Sequence, residues 1–174
     1  MTKVTVLVGN PKRKSRTAGI AEALARQVLG GAEVDFQLVD LADRADALFS
    51  WTSETVDQLT RRVAESDLVI VASPTYKATY TGLLKAFLDR YPTNGLRNIT
   101  AIALMTGADF THALAPTVTL VPLLLELGAA VPYRGIYLNT GQMDLVDAQI
   151  AASAAEVVRA LGNVAAVSGA LHRA

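Results

Sequence analysis

Three short stretches of this chain carry groups that can do chemistry together, and each follows an apolar run. The first is Gly9-Asn10-Pro11, continued by Lys12-Arg13-Lys14 and Ser15-Arg16-Thr17. Ser15 and Thr17 offer hydroxyls, and the amides that open the following helix lack carbonyl partners. A helix start also carries partial positive charge, so an anion such as a phosphate is stabilised there. Arg16, with Arg13, adds a charged fork. A plainer reading has Ser15 capping the helix and the cations solvated. The second stretch is Pro74-Thr75-Tyr76-Lys77-Ala78-Thr79-Tyr80. Amides around Thr75 to Lys77 can point at the carbonyls and nitrogens of a flat, partly polar ring. Tyr76 would pack nearby, and Lys77 would place positive charge where such a ring gathers electrons. Tyr80 reads as an ordinary aromatic at a helix start. The third stretch, Thr106-Gly107-Ala108-Asp109, is a glycine turn that can bring backbone close to a ligand.

Other chemistries find less support. The first loop holds neither Gly-x-x-x-x-Gly-Lys-Ser/Thr nor Gly-x-Gly-x-x-Gly. The two histidines, His112 and His172, form no zinc-binding pair, and His112 is expected to pack at a helix start near the third loop. Ser73 lies outside a Gly-x-Ser-x-Gly elbow, which removes the usual hydrolase signature. Lys85 and Asp89, four apart, read as a surface ion pair. Sixteen basic and sixteen acidic residues cancel, and a polyanion partner such as nucleic acid normally leaves a basic footprint. The absence of cysteine excludes disulfides, thiolate metal sites and a Cys nucleophile, and it fits a reducing cytoplasm. The chain enters its first strand without a leader-like segment. No segment is expected to span a bilayer, since residues 120–130 are interrupted by Pro122 and Glu126. A soluble cytoplasmic protein without a metal site is the expectation.

The elements that must position these groups follow from periodicity. A chain of 174 residues is about one domain, taken here as residues 1–174. Apolar runs predict strands over residues 3–8, 68–72 and 99–105, with a non-alternating third strand covered on both faces. Residues 33–41 read as an edge strand with Val34, Phe36 and Leu38 inward, and residues 131–138 as a fifth strand. Between them, helical spacing gives Ile20, Leu24, Gln27 and Val28 on a first inner face, and Val56, Leu59 and Val63 on a second. Residues 40–51 read as loop. A third helix is expected over 79–91, a fourth over 111–127 kinked or locally unwound at Pro122, and a last over 144–161 before a frayed tail. Strands alternating with helices imply an α/β three-layer sandwich around a five-stranded parallel sheet in the order 2-1-3-4-5. The three stretches then fall on one edge and line one crevice.

Residues 9–17, together with Ser73-Pro74-Thr75-Tyr76-Lys77-Ala78-Thr79-Tyr80-Thr81-Gly82-Leu83-Leu84-Lys85, resemble the NAD(P)H-dependent FMN reductase family of flavodoxin-like proteins. The pattern Pro-x-Tyr-x-x-x-x-x-Gly-x-x-Lys-x-x-x-Asp carries much of the likeness. Within the family the chain most resembles reductases that supply reduced flavin to two-component monooxygenases such as those attacking alkanesulfonates. The resemblance implies a flavodoxin-like fold and FMN reduced by NADPH or NADH. It places the FMN phosphate at Ser15, Arg16 and Thr17, in the loop opened by Asn10 and Pro11. Pro74, Thr75, Tyr76 and Lys77 would contact the isoalloxazine, and Thr106 and Gly107 border it, with no protein acid, base or nucleophile required. It further implies a homodimer or homotetramer, joined through the helix after Tyr80 and the proline-containing helix, and a flavin-dependent monooxygenase as partner. A quinone or azo reductase and a flavodoxin-type electron carrier are the alternatives. Two departures stand out. The phosphate loop is more basic than the family pattern, which points to NADPH. Residues 115–119 lack the inserted aromatic that produces a π-type bulge in the sulfonate-linked branch.

Overall fold

Long β-branched and apolar runs make the sheet, and their burial shows why they do not alternate. The computed structural model describes residues 1–171. Its strands are β1 (Lys3–Val8), β2 (Asp35–Asp40), β3 (Leu68–Pro74), β4 (Thr100–Gly107) and β5 (Ile136–Asn139). All pair in parallel, in the order β2-β1-β3-β4-β5. One face packs Val6, Val8, Ile70, Ala72, Ile102 and Leu104 against helices α1 (Arg16–Leu29) and α5 (Val146–Leu171). The other packs Leu7, Val69, Val71, Ala103 and Met105 against α2 (Glu54–Ala64), α3 (Gly82–Leu88) and α4 (Val121–Glu126). Both faces are covered, so the central strands are near-continuous apolar runs, and their buried polar residues, Thr5, Ser73 and Thr106, are each hydrogen-bonded. The expected topology and the shared edge for the three loops are as observed.

Several boundaries differ, each for a physical reason. In β2 the inner residues are Val39 and, just beyond it, Leu41, whereas Leu38 is 44% exposed; an edge strand with a bonded neighbour on one side only leaves its outer face partly open. A short 3-10 turn, Leu41–Arg44, interrupts the expected loop. In α1 the buried stripe is Ala18, Ile20, Ala21, Leu24 and Ala25, leaving Gln27 exposed. The third helix starts at Gly82 rather than near residue 79, because Thr81 caps it and residues 76–79 form a separate tight turn. The fifth strand is the shorter Ile136–Asn139, with residue 130 making only an isolated bridge to Thr100.

The fourth helix opens as a π-helical turn, Pro116–Leu120, and continues as α4. The inserted aromatic is absent, yet the bulge is present. Pro122 has no amide proton and its ring crowds the preceding turn, which a wider π turn relieves. Gly135 abuts this turn: a Cβ there would lie 2.4 Å from the Pro116 carbonyl carbon and 2.5 Å from the Thr117 nitrogen.

The last helix runs well past the expected residue 161, to Leu171. Its alanine-rich sequence contains no proline to stop it. Val146, Ile150, Ala154 and Val157 are buried, and the remainder projects past the sheet at the start of β4, where Leu161, Val164 and Ser168 face Thr100 and Pro132. The segment Met143–Leu171 holds an 18-residue window of mean hydropathy 1.4 and is long and apolar enough to cross a bilayer by length and composition. This corrects the expectation that no segment is; part of that apolar character serves the core. His172 and the remaining tail lie outside the described residues.

Candidate functional site

The crevice lies at the carboxyl edge of the sheet, where three loops expected from the sequence meet a fourth. Ser15 caps α1, its Oγ accepting the Ala18 N–H at 3.2 Å. The N–H groups of Ser15, Arg16 and Thr17 have no protein partner, and they open a helix whose dipole favours negative charge. Asn10 shapes the loop from beneath, its Oδ1 accepting the Lys12 N–H at 2.9 Å. The Thr17 hydroxyl points into the floor, accepting from Asn10 Nδ2 at 3.2 Å and meeting Thr106 Oγ1 at 2.8 Å. It therefore ties the first loop to the third, and only its amide is left for an anion. Arg13 pairs with Asp43 at 3.1 Å. Arg16 donates to the Thr140 carbonyl at 3.4 Å, and Pro11 is exposed at the loop crest.

The second loop is a two-residue hairpin turn. Tyr76 and Thr79 exchange backbone hydrogen bonds of 2.9 and 3.3 Å, and between them Lys77 and Ala78 adopt φ of 51° and 69°. Successive left-handed residues define a type I′ turn, normally the province of Gly and Asn. The N–H groups of Lys77 and Ala78 stay unpaired. Below the turn, Thr75 N–H donates to the Thr106 carbonyl at 2.7 Å. Ser73 Oγ accepts from Thr81 N–H at 3.0 Å and donates to the Pro74 carbonyl at 2.8 Å. Thr81 Oγ1 donates to the Gly9 carbonyl, and Gly9 has no room for a Cβ, which would lie 2.4 Å from that of Leu84. The hairpin is thus locked over β1 and β3. Tyr76 is 52% exposed and Lys77 is exposed, so both side chains face the open crevice or solvent. Tyr80 packs on the core, as expected.

The third loop turns at Gly107, beyond which Asp109 accepts the Thr111 N–H at 2.8 Å. That bond, joined by the Thr111 hydroxyl, holds the Asp109 carboxyl below its ordinary pKa. His112 is exposed rather than packed. The fourth loop, residues 139–142, is one that sequence reasoning missed. Thr140 donates to the Gly107 carbonyl through its N–H at 2.7 Å and its hydroxyl at 3.1 Å. From β5, Tyr137 donates its phenol proton to the Asp109 carbonyl at 2.7 Å. Burial raises the Tyr137 pKa, partly offset by the nearby Thr75 hydroxyl. Thr75 Oγ1 is itself buried and completes no hydrogen bond of normal geometry. The turn-forming Asn-Thr-Gly of residues 139–141 was the available signal for this loop.

Asn10, Pro11, Ser15, Arg16, Thr17, Pro74, Thr75, Tyr76, Lys77, Thr106 and Gly107 are therefore brought to one edge. The crevice presents unpaired amides at residues 15–17 and 77–78 and a lysine amine. A ligand with an anion at one end and a flat, acceptor-rich ring at the other satisfies this set, which is the shape of FMN. Among the described residues, no three His, Cys, Asp or Glu side chains gather to hold a metal. A 400 Å³ cavity at the opposite end of the strands is satisfied internally, with Thr5 Oγ1 meeting Ser66 Oγ at 2.7 Å and accepting from Gln37 at 2.6 Å.

A five-stranded parallel sheet in this order, with its donors gathered at the carboxyl edge, defines a flavodoxin-like protein. The chain belongs to the NADPH-dependent FMN reductase family, whose pattern matches residues 2–143. It is 33% identical over 144 residues to FMN reductase (NADPH) of Escherichia coli (strain K12), spanning 81% of this chain and 75% of the relative. The NADH-dependent FMN reductase SfnE of Pseudomonas putida is 29% identical over 97% of this chain and 94% of its own. Among solved structures, apo NADH:FMN oxidoreductase (EMOB) superposes with a TM-score of 0.81 at 29% identity, covering 91% of this chain and 89% of that one. The protein is thus an oxidoreductase of a family that uses FMN with NADPH or NADH.

Proposed function

We propose that the crevice holds FMN for reduction by NADPH or NADH, and that the reduced flavin serves a partner monooxygenase. The observation that carries this reading is the placement of unpaired amides at both ends of one crevice. The Ser15, Arg16 and Thr17 amides, with the Arg16 guanidinium, bind the phosphate. Pro74, Thr75, Tyr76 and Lys77 hold the ring, and Thr106 and Gly107 border it. The redox chemistry would come from FMN when bound, as hydride uptake from the nicotinamide and delivery of two electrons with release of the proton to an acceptor. The chain's own residues orient the two partners, and the Lys77 amine and neighbouring N–H groups stabilise negative charge on the reduced ring. Lys12 and Lys14 have no side-chain partners, which supports NADPH, with its additional phosphate, as the donor.

The reading extends to a homodimer or homotetramer in the cytoplasm. Leu114, Val118 and Leu125 form an exposed apolar stripe along the proline-containing helix, with Phe110 at its head. A patch of this kind suits contact between copies. The motif resemblance supports a monooxygenase acceptor, and the cysteine-free sequence supports a reducing compartment.

The test is an anaerobic visible spectrum of the protein with excess FMN as NADPH and then NADH are supplied. Bleaching of the flavin band at catalytic protein concentration is the expected result, faster with NADPH. Tight FMN binding without bleaching by either nucleotide would instead identify an electron carrier.

A further inference from the structure

The turn after β4 is held from one side only. Gly107 O accepts from Thr140 twice, at 2.7 Å from its N–H and 3.1 Å from its hydroxyl. Ala108 O lies against Gly141, where an added Cβ would come within 2.0 Å of it. Asp109 O accepts the Tyr137 phenol at 2.7 Å. Three consecutive carbonyls therefore face β5 and the loop beyond it. All peptide bonds are trans, so each following N–H points opposite to its carbonyl. The N–H groups of Ala108, Asp109 and Phe110 must point away from β5, toward the hairpin at residues 76–79, and none has a protein partner. The brace is tight: a Gly107 Cβ would lie 1.8 Å from the Tyr137 hydroxyl, and the Tyr137 ring packs on Phe110 at 6.4 Å.

We infer that Tyr137 and Thr140 are positioning residues, which aim the amides of Ala108, Asp109 and Phe110 at the polar edge of the flavin ring. This rests on the placement of FMN in the crevice proposed above. Negative charge gathers at that edge when the ring is reduced, and fixed dipoles stabilise charge best when they need not reorganise. The brace consequently discriminates between the two redox states of the flavin, holding the reduced form more tightly than a free loop would. Neither residue touches the ring in this role. Both act through the backbone of the turn.

The experiment compares affinities for oxidised and reduced FMN in the Tyr137→Phe variant, the latter measured anaerobically by equilibrium dialysis. Tyr137→Phe keeps the ring against Phe110 and removes the bond to Asp109. The ratio of the two dissociation constants is expected to move about tenfold against reduced FMN, lowering the bound potential by about 30 mV for this two-electron couple. Thr140→Val keeps the N–H bond to Gly107 and should move the ratio in the same direction by less. An unchanged ratio in Tyr137→Phe, whether both affinities fall together or neither falls, overturns the inference. The thermal midpoint of the apo variant reports a merely structural role, which would lower stability without moving the ratio. Failure of the FMN placement has its own signature, full retention of both affinities in Arg16→Ala and Thr17→Ala.

Discussion

Ala78 occupies a backbone conformation that costs a residue with a Cβ about 1–2 kcal/mol. Its φ of 69° follows Lys77 at 51°, so the hairpin beside the crevice stores strain in two adjacent residues. Ala78→Gly should stabilise the apo protein by about 0.5–1 kcal/mol in urea unfolding, since glycine enters this region without steric cost. FMN affinity should change little, because the Ala78 side chain makes no polar contact. At Thr17 the expectation reverses. Thr17→Ala leaves Asn10 Nδ2 and Thr106 Oγ1 short of a buried partner, a loss of about 1–3 kcal/mol. FMN affinity should fall with it in a fluorescence titration, and Thr17→Ser should recover much of both. Residue types around the crevice were legible in the sequence, because hydroxyls, cations and an aromatic cluster after two strands. Which atom of Thr17 faces the ligand was not. That depends on Thr106, 89 positions away in the chain.

At the scale of elements, the π turn and Gly135 form a matched pair. Gly135→Ala would drive a Cβ into the backbone of Pro116 and Thr117, and should cost about 1–3 kcal/mol as an overpacked contact. Denaturant unfolding measures the loss, and amide exchange of residues 117–121 should rise with it. The central strands were readable because burial on both faces demands unbroken apolar runs. The hairpin at residues 76–79 was hidden because its left-handed positions hold Lys and Ala instead of Gly or Asn. The π turn was hidden for a related reason: proline announces a disturbed helix without saying whether it kinks or widens. Asn139-Thr140-Gly141 carries no cation or aromatic, so a loop whose backbone braces the site drew no notice.

At the scale of the whole molecule, Tyr91 sets how the fold meets alkaline conditions. Its phenol donates to the Thr60 carbonyl at 3.0 Å, its ring meets Phe87 edge-on at 5.8 Å, and burial pushes its pKa above the ordinary value. The folded state therefore retains a proton that the unfolded chain releases near pH ~10. Stability from this group is complete below that pH and declines as pH rises above it. Urea midpoints measured between pH ~9 and ~11 should fall steeply for the wild type and less steeply for Tyr91→Phe. At neutral pH that variant should lose about 1 kcal/mol for the missing hydrogen bond.

The long α5 also gives the molecule a direction. It runs antiparallel to the strands, and from Leu161 to Leu171 it extends about 15 Å beyond its packed half. That projection leaves from the end of the sheet where β4 begins, opposite the crevice. A surface or fusion partner attached beyond α5 would therefore sit behind the protein, leaving the crevice turned outward and open to traffic. Immobilised by this handle, the reductase should exchange flavin and nicotinamide with the solution as freely as it does untethered.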